Sequence, residues 1–218
     1  MLSKVKTMAL EGLNGYLVEI QSDVSGGLPS FDVVGLPDLR VKEAKERVKA
    51  AIRNSGIEFP SRKIVVNLAP ADKKKEGTFF DLPIAIGIIL AIEDMNSLNR
   101  IDIEKTIFLG ELALDGKIAK VNGILPMCIE AKNLGIKRVI VPIENCNEAN
   151  IIKEIEVIPV NNLEEVINYI KGTIKINNIQ DKKNINLEDK NSYNLDFSEV
   201  KGQENAKRAL EIAAARIA

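Results

Sequence analysis

The sequence predicts an α+β fold for residues 1–171, because stretches of strand period and stretches of helix period alternate along it. Alternating apolar and polar side chains predict two strands near the start of the chain, and short β-rich runs predict six more. The strands are expected at residues 4–10, 16–21, 31–34, 63–68, 106–109, 117–121, 138–141 and 156–160. Apolar residues at helical spacing predict helices at residues 38–55, 82–93, 123–134 and 163–170.

The helix at residues 38–55 has the clearest pattern of the four. Asp38 is a typical N-cap residue, and Asn54-Ser55-Gly56 is a typical stop signal. Its apolar residues fall on one stripe and are expected to face the core: Val41, Ala44, Val48, Ala51 and Ile52. The charged residues between them, Arg47 included, are expected on the solvent-facing side.

The composition of the 218 residues excludes several kinds of site. There is no histidine, which removes His-assisted nucleophiles and His-containing zinc sites. The two cysteines, Cys128 and Cys146, match no metal-ligand spacing, so no metal site is expected. Cys128 is expected to be a buried packing thiol of a reduced, cytoplasmic protein. Because the formal net charge is −1, any contact with nucleic acid would require a local basic patch.

Nothing in the sequence indicates a membrane partner. The N-terminal residues contain no apolar segment of the kind found in signal peptides. The longest apolar run, residues 82–92, is much shorter than the roughly 20 residues that span a bilayer.

Lys73-Lys74-Lys75, with Arg62 and Lys63 nearby in the sequence, forms the candidate nucleic-acid contact. Such lysines could contact phosphates without regard to base sequence. The alternative is a solvated loop, because Asp72 and Glu76 leave a local surplus of only one charge. No aromatic residue interleaves the three lysines, so stacking of unpaired bases is not indicated there.

The glycine-containing segments do not form a nucleotide loop. Gly26-Gly27 and Gly123 belong neither to G-x-x-x-x-G-K-[ST] nor to G-x-G-x-x-G, and are expected in a turn and at a helix start. Gly116-Lys117 is followed by Ile118, where the phosphate loop requires Ser or Thr. We therefore expect no cofactor in this part of the protein.

The composition changes after residue 171. Residues 172–195 are rich in Asn, Lys and Asp and have no apolar period, which predicts a flexible linker. Residues 196–218 follow, with an alanine-rich helix predicted at 204–218.

Three spaced motifs carry a resemblance to a known family. They are the run from Gly27 to Asp38 (GLPSFDVVGLPD), the run from Asn67 to Ala85 (NLAPAD, KEG and FDLPIA), and the run from Asp196 to Leu210 (DF, KGQ and AKRAL). Together they resemble the N-terminal half of the ComM/YifB family of Mg-chelatase-like AAA+ ATPases. On this resemblance, residues 196–218 are the truncated start of the AAA+ module.

The middle of the chain also resembles a Lon protease domain, through Gly116-Lys117-Ile118, Asn122-Gly123-Ile124 and the run from Gly135 to Pro142. This likeness implies the Lon-like fold shared with GHMP kinases and a ribosomal-protein domain. It also implies a serine nucleophile at one helix start and a lysine base near the start of the next. The matching positions hold Asp81 and Leu125, so a serine–lysine dyad is not expected. Asp81 could be a displaced catalytic acid, but helix capping is the simpler interpretation.

The family resemblance implies an intact protein that hydrolyses ATP with Mg²⁺, assembles as a hexamer and acts on DNA in competence and recombination by promoting branch migration. For residues 1–171 we expect a non-catalytic role in subunit contact or DNA guidance. Three alternatives are weighed against this function: a subunit of a magnesium chelatase-type enzyme, an active Ser–Lys peptidase, and a purely structural domain that caps the ring.

Overall fold

A long β-hairpin forms the centre of the main sheet. Strand β1 (Leu2–Glu11) pairs antiparallel with β2 (Asn14–Ser25), in a register that runs without interruption from Leu2 opposite Asp23 to Glu11 opposite Asn14. Both strands are longer than predicted, because their outer ends are paired although their apolar alternation is weak there. The computed structural model describes residues 1–93, 101–176 and 199–215.

The remaining elements follow in chain order, and most of them match a predicted helix or strand segment. They are β3 (Ser30–Val34), α1 (Leu39–Asn54), β4 (Lys63–Ala69), α2 (Asp81–Ile92), β5 (Thr106–Phe108), β6 (Glu111–Leu112), β7 (Ile118–Ala119), α3 (Ile124–Asn133), β8 (Arg138–Pro142), α4 (Cys146–Ala149), β9 (Glu156–Val160), α5 (Leu163–Lys171) and α6 (Glu204–Ala215).

The main sheet is mixed and mostly parallel. Within the described residues it has seven strands in the order β3-β4-β2-β1-β5-β8-β9. The β3–β4, β1–β5, β5–β8 and β8–β9 pairs are parallel, and β2 is antiparallel to both β1 and β4. The predicted mixture of helices and strands is confirmed. The periodic pattern did not show that parallel pairing would dominate.

Helices cover both faces of this sheet. A Cβ at Gly87 of α2 would lie 2.5 Å from Ser22 Oγ, whereas a Cβ at Gly15 would lie 2.9 Å from Cβ of Glu130 in α3. Residues 15 and 22 of β2 are an odd number apart, and successive side chains of a strand point to opposite faces. Helices α2 and α3 therefore pack on opposite faces of the sheet.

The predictions for α1 are confirmed, except that one charged residue is not free in solvent. Asp38 caps the helix by accepting a hydrogen bond from the backbone N–H of Val41 at 2.8 Å. All five residues of the predicted apolar stripe are fully buried. Arg47 was expected among the solvated charges, but its side chain is only 22% exposed.

The region after β5 differs most from the prediction. The turn at Asp115-Gly116 is flanked by the short strands β6 and β7, with Glu111 opposite Ala119 and Leu112 opposite Ile118. The strand predicted at residues 106–109 instead belongs to the main sheet, where it lies between β1 and β8. Helix α4 was not predicted, because four residues are too few to show a helical period.

Both cysteines, Cys128 and Cys146, are buried in the described structure. Burial raises the pKa of the Cys128 thiol to about 12, with a smaller contribution from the nearby Glu148 carboxylate. Because only the thiolate is an effective nucleophile, Cys128 is inert at neutral pH. Its predicted role as a packing thiol is confirmed.

The chain divides into two compact units, Met1–Asp181 and Lys182–Ala218. In the second unit, α6 carries an ion pair between Arg208 and Glu211 at 3.1 Å. The predicted linker falls mostly outside the described residues, as does the predicted end of α6 at residues 216–218. No helix in the described ranges is both long and apolar enough to cross a bilayer.

Candidate functional site

The two positions predicted to match the Lon dyad, Asp81 and Leu125, lie on helices that begin at the same edge of the sheet. At the start of α2, the Leu82 N–H donates to the carbonyl of Gly110, just after the end of β5, at 3.0 Å. At the start of α3, Gly123 packs against Leu10, near the end of β1. Strands β1 and β5 are parallel neighbours, so this edge is formed by their carboxyl ends. Such an edge is a common place for sites in sheets with parallel strands.

Asp81, at the predicted nucleophile position, is held by an arginine from α1. Its side chain is fully buried. Arg47 donates to it through two nitrogens, Nε to Oδ2 at 2.7 Å and an Nη to Oδ1 at 3.1 Å. The backbone N–H of Leu112 donates to Oδ2 at 3.2 Å. This bidentate pair fixes the carboxylate in one orientation.

The prediction that Asp81 caps its helix is wrong. Phe80 stands at the N-cap position of α2, and no side-chain hydrogen bond caps this helix. Asp81 lies inside the first turn, where a negative charge is still favoured by the helix dipole. Its hydrogen bonds go to α1 and β6 rather than to its own helix. The signal in the sequence was an Asp at the start of an otherwise apolar helix. A carboxylate buried with such a helix requires a cationic partner.

Burial and Arg47 have opposite effects on the pKa of Asp81. Desolvation raises the pKa of Asp81 to about 6, although Arg47 and the Leu112 N–H favour the charged form. The same hydrogen bond raises the pKa of Arg47. At neutral pH the pair is therefore ionised. A carboxylate paired in this way has no hydroxyl oxygen with which to attack a carbonyl.

Leu125, at the predicted base position, offers only an alkyl side chain. Its backbone N–H donates to Glu148 Oε1 at 2.9 Å, which ties the start of α3 to α4. A peptidase of the Ser–Lys type needs a hydroxyl and an amine at these two places. Asp81 and Leu125 supply neither of these groups.

Lys75, one of the five candidate nucleic-acid residues, is fully buried. Its Nζ donates to the carbonyls of Pro70 and Lys73, the latter at 2.6 Å. Its backbone bonds to Leu36 and Asp38, which joins this loop to the segment before α1. Burial lowers the pKa of Lys75. The structure thus corrects the expectation that all three lysines of the loop are exposed.

Lys74 is exposed and Lys73 is half-buried, and both are paired. Lys73 lies 2.8 Å from Glu11 and 4.5 Å from the centre of the Tyr16 ring, and Lys74 lies 2.5 Å from Glu76. They line a cleft of about 330 Å³ with three carboxylates, those of Glu11, Asp72 and Glu76. This cleft has no surplus of positive charge to attract phosphate.

Arg62 and Lys63 lie apart from the other three candidates. Lys63 begins β4 and the lysine loop follows the end of the same strand, so the two groups are separated by about 20 Å at ~3.3 Å per residue. The structure therefore divides the predicted five-residue patch into two regions.

Arg62 belongs to a different cleft, between the outer face of α1 and the segments around β3 and residue 60. This cleft has a volume of about 430 Å³. Its charged and aromatic lining residues include Phe31, Lys45, Lys49, Arg53, Phe59 and Arg62. Apart from Arg62, none of these residues was among the nucleic-acid contacts predicted from the sequence. The available signal was the spacing of Lys45, Lys49 and Arg53, which places them on one face of a helix.

Comparison with known proteins indicates the family to which this chain belongs. Residues 20–145 match the family model described as subunit ChlI of Mg-chelatase. The chain is 38% identical to the competence protein ComM of Haemophilus influenzae over 217 residues. The aligned region covers 98% of this chain and 42% of that protein. It is also 38% identical to the uncharacterized protein YifB of Salmonella typhimurium over 216 residues. This aligned region covers 98% of this chain and 41% of that protein.

The chain belongs to the ComM/YifB family of Mg-chelatase-like AAA+ proteins. It spans about two fifths of the length of these relatives. A weaker similarity connects it to Lon protease 2 of Bacillus subtilis, at 29% identity over 187 residues, which are 76% of this chain and 32% of that protein. The predicted family is confirmed, whereas assignment to the Lon-like superfamily stays a prediction.

Proposed function

We propose that this chain is the non-peptidase front part of an ATP-dependent DNA motor that assembles as a hexamer in the cytoplasm. The observation that carries the proposal for this part is the Arg47–Asp81 ion pair at the predicted nucleophile position, together with the alkyl side chain of Leu125 at the predicted base position. The relative named as a competence protein supports a role in DNA processing. In the motor, residues 1–171 serve subunit contact or DNA guidance.

ATP and Mg²⁺ belong to the intact protein in this proposal. The 218 residues contain no G-x-x-x-x-G-K-[ST] sequence, so the loop that would cradle the phosphates is not among them. No step of ATP hydrolysis is assigned to these residues. Their contribution is to hold elements together and to present surfaces.

Two assays of the intact natural protein test this function. ATP hydrolysis is expected to rise when DNA is added, and branch migration of a synthetic junction is expected to require ATP. Casein is expected to stay uncleaved by the same preparation, and cleavage that is lost in Asp81→Ala would contradict the non-peptidase assignment. If a variant without residues 1–171 keeps both the hexamer and the DNA-stimulated ATPase, the domain only caps the ring.

The description of the matching family model favours a second candidate, a subunit of a magnesium chelatase-type enzyme. Such a subunit would couple ATP turnover to insertion of Mg²⁺ into a porphyrin. ATP turnover of the intact protein would then rise with protoporphyrin rather than with DNA. Measuring both stimulations side by side separates the two functions.

A further inference from the structure

The cleft on the outer face of α1 is lined by more cations than carboxylates. Its lining includes four cations, from Lys45, Lys49, Arg53 and Arg62, and one carboxylate, from Glu46. Lys45 is paired with Asp32 at 3.6 Å. Within the described part of the chain, Lys49, Arg53 and Arg62 form no ion pair. These three charges are available to an anionic ligand.

The spacing of the cations suits a chain of phosphates. Lys45, Lys49 and Arg53 follow one another at intervals of four residues, so they rise along α1 in steps of about 6 Å. Successive phosphates of an extended nucleic-acid strand are separated by a similar distance. A row of this kind tracks a backbone without reading its sequence.

Two aromatic side chains lie in the same cleft. The rings of Phe31 and Phe59 are 6.0 Å apart and tilted by 40°, and both side chains are only partly buried. Unpaired bases stack on such rings, whereas paired bases inside a duplex cannot reach them. An acidic peptide would satisfy the cations but would make no comparable use of the two rings.

The cleft is also elongated. A second depression of about 540 Å³ continues past the end of α1 and shares Arg53, Phe59 and Ser61 with the first. A groove that extends on both sides of Phe59 accommodates a polymer better than it does a compact ligand such as a single nucleotide.

We propose that this groove binds single-stranded DNA, with Lys49, Arg53 and Arg62 on successive phosphates and with bases against Phe31 and Phe59. The proposal deepens the proposed function and rests on it for the choice of DNA as the polymer. It gives residues 1–171 a DNA contact of their own, at a place other than the lysine-rich loop.

Fluorescence anisotropy of the 218-residue chain with a labelled oligothymidylate of about 20 nucleotides tests this site. In Lys49→Ala/Arg53→Ala, affinity is expected to fall about tenfold near 100 mM salt, because two phosphate contacts are lost. The slope of log K against log salt concentration is expected to become shallower by about 1.4, or about 0.7 per contact on a single strand. Phe59→Leu is expected to weaken binding without changing this slope, since stacking releases no counterions.

The matched control is Lys73→Ala/Lys74→Ala, which removes two cations that already have carboxylate partners. Its affinity and slope are expected to equal those of the unmodified chain. An equal loss in the control, no binding by the chain, or equally effective competition by polyglutamate would each overturn the proposed site. DNA-stimulated ATPase of the intact protein would survive all three outcomes. If the intact protein shows no DNA-stimulated ATPase while the groove still binds DNA, the motor function is contradicted and the proposed groove is not.

Discussion

The loop at residues 70–78 carries three cations, and the face of α1 that lines the cleft also carries three, Lys45, Lys49 and Arg53, but the two regions use them differently. In the loop, Lys75 is buried against carbonyl oxygens, and Lys73 and Lys74 are paired with carboxylates. On α1, Lys49 and Arg53 face a cleft and have no ionic partner among the described residues. The number of basic residues in a sequence segment therefore does not give the positive charge that is available to a ligand. Only cations that are not already bonded to carboxylates or carbonyl oxygens of the protein are available.

Arg47 is the cation of α1 that pairs with the buried carboxylate of Asp81. Its removal is expected to have the largest effect on stability. Arg47→Ala leaves the buried Asp81 carboxylate without its partner, which typically costs about 3–5 kcal/mol in the free energy of unfolding. Urea denaturation of the 218-residue chain measures this loss. The control, Arg40→Ala, changes an exposed residue of the same helix and is expected to cost less than about 0.5 kcal/mol.

A double variant tests whether the cost comes from the unpaired charge. Arg47→Ala/Asp81→Asn is expected to be more stable than Arg47→Ala alone, because a neutral amide is cheaper to bury than a carboxylate. Equal losses in the two variants would show that Arg47 contributes mainly by packing its alkyl chain.

The pH dependence of stability measures how burial and Arg47 balance at Asp81. The folded-state pKa is raised from 3.8 to about 6, so the folded protein binds this proton more tightly than the unfolded chain does. The stabilisation from this group is therefore fully present below about pH 4 and is lost as the pH rises through about 6. A shift of this size corresponds to about 3 kcal/mol.

Denaturation of the unmodified chain and Asp81→Asn across this range isolates the contribution of Asp81. The free energy of unfolding of the unmodified chain, relative to that of the variant, is expected to decrease from pH 4 to pH 7. An increase over the same range would mean that Arg47 outweighs burial and holds the folded-state pKa below its ordinary value.

Local features of the fold were predictable from the sequence, whereas the site was only partly so. The cap at Asp38 and the stripe from Val41 to Ile52 follow from spacing within one helix. The partner of Asp81 lies 34 residues away on another helix, and no local pattern connects the two. The groove likewise combines a helix face with segments near residues 30 and 60, which only the tertiary fold brings together.

The smallest expected effects compare neighbouring lysines within the loop. Lys75→Met keeps most of the alkyl chain but removes the donor to the Pro70 and Lys73 carbonyls, and a charged hydrogen bond of this kind contributes about 2 kcal/mol. Lys74→Met removes an exposed, screened pair and is expected to leave the urea midpoint unchanged. A loss for Lys75 alone means that this lysine serves the fold and is not available to phosphate. If neither midpoint moves, burial of Lys75 contributes no stability, and the contrast between the loop and the groove then rests on ion pairing alone.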